Sequence, residues 1–164
     1  MIPASSSAFL RLLFAMLAAM TLGACSSAVT GPGGTISKVK YFHLQPGDLR
    51  QANQRMLTFE REHIFYGALT AQEISDRFGH YYAFFWKLDD RTGPVTVRFQ
   101  YRMAKTGLKD FVQEQVVDDI RRSNISRFEV NGPEYRNNGR ITMWKVTLLR
   151  GKEELVSQQS YLWN

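Results

Sequence analysis

Cys25 is the only cysteine in this chain of 164 residues. A deprotonated thiol is a strong nucleophile, so a lone cysteine poses the question of what it reacts with. Other chemistry-bearing residues are sparse. His43, His63 and His80 are far apart, form no His-x-x-x-His pair and have no further cysteine beside them. They read as surface or core histidines, not as a zinc site. Asp89-Asp90 offers two carboxylates, but Arg91-Thr92-Gly93-Pro94 adds none, so a turn is expected in place of a calcium loop. Asp118-Asp119 beside Arg121-Arg122 reads as a solvated loop with weak ion pairs. The serine runs at 5–7 and 26–27 lack the Gly-x-Ser-x-Gly setting of a hydrolase nucleophile. Gly31-Pro32-Gly33-Gly34 is not followed by the Lys-Ser/Thr of a phosphate loop. No catalytic residue, no metal and no cofactor are expected.

The setting of Cys25 is more informative. Residues 1–8 carry no acidic side chain, Arg11 is the one basic residue of residues 1–24, and Leu12 to Met20 is an apolar core. That core is too short for a membrane-spanning helix, which needs about 20 apolar residues. The arrangement matches a signal peptide. Its end, Leu22-Gly23-Ala24-Cys25, resembles the lipobox of bacterial lipoproteins. The resemblance implies cleavage before Cys25, a thioether-linked diacylglyceryl group on its sulfur and a further acyl chain, such as palmitate, on its amine. Two or three chains anchor stably where one does not. The implied location is the cell envelope, lipid-anchored to a membrane. Ser26 at the second mature position favours the outer membrane if the source is Gram-negative. In that setting the glycosylation match Asn124-Ile125-Ser126 reads as chance.

Removing residues 1–24 leaves one domain's worth of chain and takes only Arg11 from a net charge of +6. The basic residues are scattered, which suits a solvated surface and gives no footprint for nucleic acid. With no disulfide available, the fold must rest on its core, and an aromatic content of 13% supplies large side chains to fill it. Residues 25–36, rich in glycine and serine, are expected to be a flexible linker that lifts a domain over 37–164 off the membrane.

That domain reads as β-rich. Val95, Val97, Phe99, Tyr101 and Met103 alternate with Thr96, Arg98, Gln100 and Arg102, the pattern of a half-buried strand. Lys105 to Leu108 turns the chain and Phe111 to Val117 returns. Tyr82, Phe84, Trp86 and Leu88 form an earlier strand that ends at Asp89 to Pro94. Ser126 to Val130 and Ile141 to Leu149 are further strands, Arg150-Gly151-Lys152 is a tight hairpin turn, and Leu155 to Trp163 is the last strand. Asn137-Asn138-Gly139 reads as a turn. Val39 to Leu44 reads as a short strand, Pro46 to Gln54 as a helical turn or loop, and Met56 to Leu69 as an irregular strand. Thr70 with Glu73 three residues on predicts one short capped helix over Ala71 to Arg77.

Phe128 to Tyr135, followed by a turn, the Trp144 strand and a Gly-Lys hairpin, resembles the last strands of an immunoglobulin-like or fibronectin type III sandwich. The resemblance implies an antiparallel all-β sandwich and a binding or structural role, with Tyr135 bonding back to upstream backbone as a corner tyrosine. A further group that could bind a ligand is aromatic: Tyr81, Phe85, Trp86 and Trp163. Phe84 and Phe85 must face opposite ways on a strand, so one face could present rings for stacking on sugars or on a partner protein. The competing fate of such a run is burial under a loop or the N-terminal strand. The sequence therefore predicts a lipid-anchored, non-catalytic module that docks an envelope protein, with glycan or peptidoglycan binding as the alternative.

Overall fold

The computed structural model describes residues 28–46 and 63–163. Its strands are β1 (Val29–Gly31), β2 (Gly34–Leu44), β3 (Gly79–Leu88), β4 (Val95–Met103), β5 (Asp110–Val117), β6 (Asn124–Asn131), β7 (Ile141–Arg150) and β8 (Glu153–Gln159), with helices α1 (Ala71–Asp76) and α2 (Gly132–Asn138). They form two antiparallel four-stranded sheets, β1-β2-β3-β6 and β5-β4-β7-β8. This is the expected all-β sandwich.

The central strands show why the layers close. In β4, Val95, Val97, Phe99, Tyr101 and Met103 are all at 2% exposure or less, as the alternation requires. In β3, His80, Tyr82, Phe84, Trp86 and Leu88 face inward opposite them. Rings from the two sheets meet in the middle: Phe84 lies 5.4 Å from Phe99 and 5.6 Å from Trp144, and Phe99 lies 5.3 Å from Phe128. Burying each such side chain contributes roughly 2–3 kcal/mol. The antiparallel register places Tyr82 beside both Tyr41 and Phe128, so the inward face continues across three strands.

Three connections, β3–β4, β5–β6 and β6–β7, cross between the sheets. Residues 89–94 cross from β3 to β4, and Asp90 holds that turn by accepting from the Thr92 amide at 2.9 Å and from Arg150 at 2.8 Å. The chain crosses back from β5 to β6. There Asn124 accepts the Arg121 amide at 2.8 Å and donates to the Arg121 carbonyl at 2.9 Å. The capped helix forms as expected: the Thr70 hydroxyl accepts from the Glu73 amide at 3.1 Å, and Glu73 accepts the Thr70 amide at 2.9 Å.

Four expectations need correction. Residues 29–36 are not a flexible linker. They form β1, a turn and the start of β2, with Val29 packed against the core. The glycines there serve close approach: a Cβ on Gly31 would lie 2.4 Å from the Leu155 carbonyl oxygen. Gly33 donates its N–H to that carbonyl at 3.1 Å and accepts the Asp89 amide at 3.2 Å, so it ties β8 of one sheet to the end of β3 in the other. Second, the strand read over Met56 to Leu69 is replaced, in its described part, by a helical turn at 63–65; residues 47–62 lie outside the described residues. Third, the last strand ends at Gln159, and 160–163 turn away from the sheet. Fourth, Asn137-Asn138-Gly139 is the end of α2, with Gly139 at φ 82° as its C-cap.

Candidate binding cleft and free sheet edges

The register of β2 against β3 sets His43 directly opposite His80 and Tyr41 opposite Tyr82, on the face that turns toward the second sheet. Beyond Ile36, β2 has no paired strand on its outer side among the described residues, because β1 pairs only with residues 34–36. The inward face of β2 therefore opens to solvent at the rim of the sandwich. There the two imidazoles stack with centroids 4.0 Å apart and planes 10° apart. Helix α2 adds Tyr135, whose hydroxyl lies 2.8 Å from His43 Nε2. The hydroxyl of Tyr41 lies 2.9 Å from His80 Nδ1.

His80 is fully buried, and its tautomer is fixed by its partners. The Ile141 amide donates to Nε2 at 3.0 Å, so that nitrogen carries a lone pair. The neutral ring then bears its proton on Nδ1 and donates it to the oxygen of Tyr41. Burial, the neighbouring His43 and the charge of Arg140 push the His80 pKa down to about 3. With both nitrogens engaged and protonation displaced far below neutrality, His80 is a structural polar group and a poor general base. Burial, helped by the nearby Tyr135, pushes the Tyr41 pKa up to about 12, so its hydroxyl stays protonated; the Arg140 charge opposes this shift.

A solvent-open cleft of about 310 Å³ lies beside this cluster, lined by Tyr41, His43, Arg140, Ile141, Thr142 and Leu162. Among the described residues no carboxylate lines it. Among the described residues no acidic group lies in ion-pair range of Arg140, unlike Arg136 with Asp76 or Arg150 with Asp90. Among the same residues, no group of three or more His, Cys, Asp or Glu could hold a metal.

Most of the residues singled out by sequence lie elsewhere. Leu22, Gly23, Ala24 and Cys25 lie outside the described residues. Trp86 is at 0% exposure in the core and donates its indole N–H to Ser126, so it belongs to no binding surface. Trp163 is also buried, with the Arg102 guanidinium 4.7 Å from its ring centroid. The reason is geometric: Trp86 sits on the inward phase of β3, and the chain after β8 folds back over the sheet. Tyr81 and Phe85 do sit on the outward phase of β3, half-buried. Tyr81 donates its hydroxyl to the Arg77 carbonyl at 2.6 Å, and the Lys40 ammonium lies 5.7 Å from the Phe85 ring. Tyr135 lies on α2, with its hydroxyl against a side chain of β2. Asp119 and Arg121 form the expected exposed pair at 3.2 Å, while His63 is exposed and stands apart from the other two histidines.

Among the described residues, β5 pairs only with β4 and β6 only with β3, while β1 and β8 close the other ends of the two sheets. Of these edges, β5 exposes two apolar side chains, Val112 at 52% and Val116 at 60%, where β6 exposes one, Ile125 at 41%. Its outward face otherwise carries the Arg98–Glu114 and Arg102–Asp110 ion pairs to β4. No protein-family model, no curated protein and no solved structure matches this chain.

Proposed function

We propose that this chain is an envelope lipoprotein, anchored by lipid on Cys25, whose β-sandwich docks an extended strand of an envelope protein along the free edge of β5. The observation that carries this reading is the edge itself. Its eight residues pair on one side only among the described residues, contain no proline or lysine, and expose Val112 and Val116. An unpaired, partly apolar edge offers backbone donors and acceptors to an incoming strand, and side-chain pockets for alternate residues give selectivity. The strand order β2-β3-β6 against β5-β4-β7-β8 supports the resemblance to fibronectin type III sandwiches. Such a fold alone fixes no function.

The anchor would be short. Sheet structure begins at Val29, so a lipid on Cys25 leaves a connection of about 14 Å even when fully extended. The domain then rests against the bilayer instead of standing off it, and Ser26 favours the outer membrane if the source is Gram-negative. A non-catalytic role accords with the engaged nitrogens of His80. The glycan alternative draws nothing from Trp86 and Trp163, since both rings are buried.

The test is site-specific photo-cross-linking in the source cells. A benzophenone side chain at Val116 should give one adduct with an envelope protein, and Val112→Lys should abolish it. Equal adducts from a probe at Arg127 on β6 would show that the β5 edge is not the docking site.

A further inference from the structure

We propose that the cleft between β2 and the start of β7 is a binding site for an oxyanion, a phosphate monoester or a carboxylate, carried on a small apolar or aromatic body. The site is independent of the β5 edge and lies at a different border of the sandwich.

The argument begins with a proton count. Ile141 N–H occupies Nε2 of His80, so the Nδ1 proton points at the oxygen of Tyr41. Tyr41 accepts that bond. Its own O–H is then not spent on His80 and is left to donate into the cleft that the ring lines. Burial keeps this hydroxyl protonated, so it is a donor at any physiological pH.

The second donor group is Arg140. Arg140 lines the same cleft, and its positive charge acts on both Tyr41 and His80. A guanidinium offers a planar fork that matches a carboxylate or phosphate edge, and charge-assisted bonds of this kind are the strong ones. Among the described residues no carboxylate lines the cleft to compete for it.

The rest of the wall is mixed, with His43 and Thr142 as its polar part. Ile141, Leu162 and the face of Tyr41 flank the donors. A volume of about 310 Å³ equals that of about ten waters, enough for one ring and its oxyanion. The group selected is thus a negatively charged hydrogen-bond acceptor attached to something flat or greasy. A bare cation would meet Arg140, and a polar sugar would meet Leu162.

Calorimetric titration of the full lipidated chain in non-ionic detergent tests this, with phenyl phosphate, benzoate and inorganic phosphate as probes. Phenyl phosphate or benzoate should bind, and whichever binds more tightly names the oxyanion. Inorganic phosphate should bind more weakly, since it leaves the apolar walls unused. Arg140→Gln should weaken binding by at least about tenfold. Arg140 is exposed, so its thermal unfolding should match that of the native chain. Tyr41→Phe should weaken binding by about tenfold as well. Absence of binding by all three probes, or equal affinity in the native chain and Arg140→Gln, would overturn the assignment.

Discussion

The indole N–H of Trp86 donates to the Ser126 hydroxyl across 3.1 Å, and both side chains are at 0% exposure. This bond joins β3 to β6 inside the core. Ser126→Ala leaves a buried donor without its partner and should cost about 1–3 kcal/mol. Urea unfolding of the two forms measures the difference. A change below about 0.5 kcal/mol would mean that the indole finds another acceptor.

His80 makes stability depend on acid. Its folded pKa lies near 3, and the ordinary value is 6.5. Between those values the unfolded chain holds a proton that the folded chain refuses, so stability falls as pH drops from about 6.5 toward 3. The slope is up to about 1.4 kcal/mol per pH unit. His43, Tyr41, Tyr135 and Arg140 surround the ring, so the comparison must be made against His80→Gln, which keeps an acceptor for the Ile141 amide. Denaturant midpoints at pH 7, 5 and 4 should fall more steeply for the native chain than for the variant.

Gly31→Ala separates the packed hairpin from a flexible linker. The new methyl would sit 2.4 Å from the Leu155 carbonyl oxygen and 2.7 Å from the Val156 Cα. The strain should cost about 1–3 kcal/mol, visible as a lower melting temperature. A linker glycine would tolerate alanine with no change in melting.

Thr70→Ala removes one half of the capping box on α1. The expected cost is about 1 kcal/mol, confined to that helix. Faster hydrogen exchange at the Glu73 amide, with global unfolding little changed, is the signature.

Cys25→Ala should move the protein from the detergent phase to the aqueous phase and abolish its labelling with palmitate. Retention in the detergent phase would remove the lipid anchor from the account.

How far the sequence could be read depended on whether the signal was local. The strand Val95–Met103 was legible to the residue because it is central in its sheet, so alternation and burial coincide. The capping box around Thr70 was equally local. Helix α2 was missed although its signals were present, a proline in the first turn at Pro133 and a positive-φ glycine at Gly139. Taken alone, Asn137-Asn138-Gly139 reads as a turn, because it is only the end of the helix. Tyr161-Leu162-Trp163 suggested strand by apolarity, but Trp163 tucks under Arg102 while Tyr161 stays exposed, an outcome decided across the sheet. The histidine pair was illegible. Nothing in spacing links residue 43 to residue 80; only the β2–β3 register brings them together. The cleft depends further on Arg140 and Leu162, which arrive from other elements.

Gly33 has a mechanical consequence. Its amide is hydrogen-bonded to β8 and its carbonyl to the residue after β3, so a pull on the N-terminal end does not peel one sheet from the other. Load entering at residue 28 first unzips the three pairs between β1 and β2, a small extension that acts as slack. Beyond that point the stitch at Gly33 spreads tension into both layers at once. A domain fastened through this end can therefore stretch slightly on a moving surface before its core bears any force.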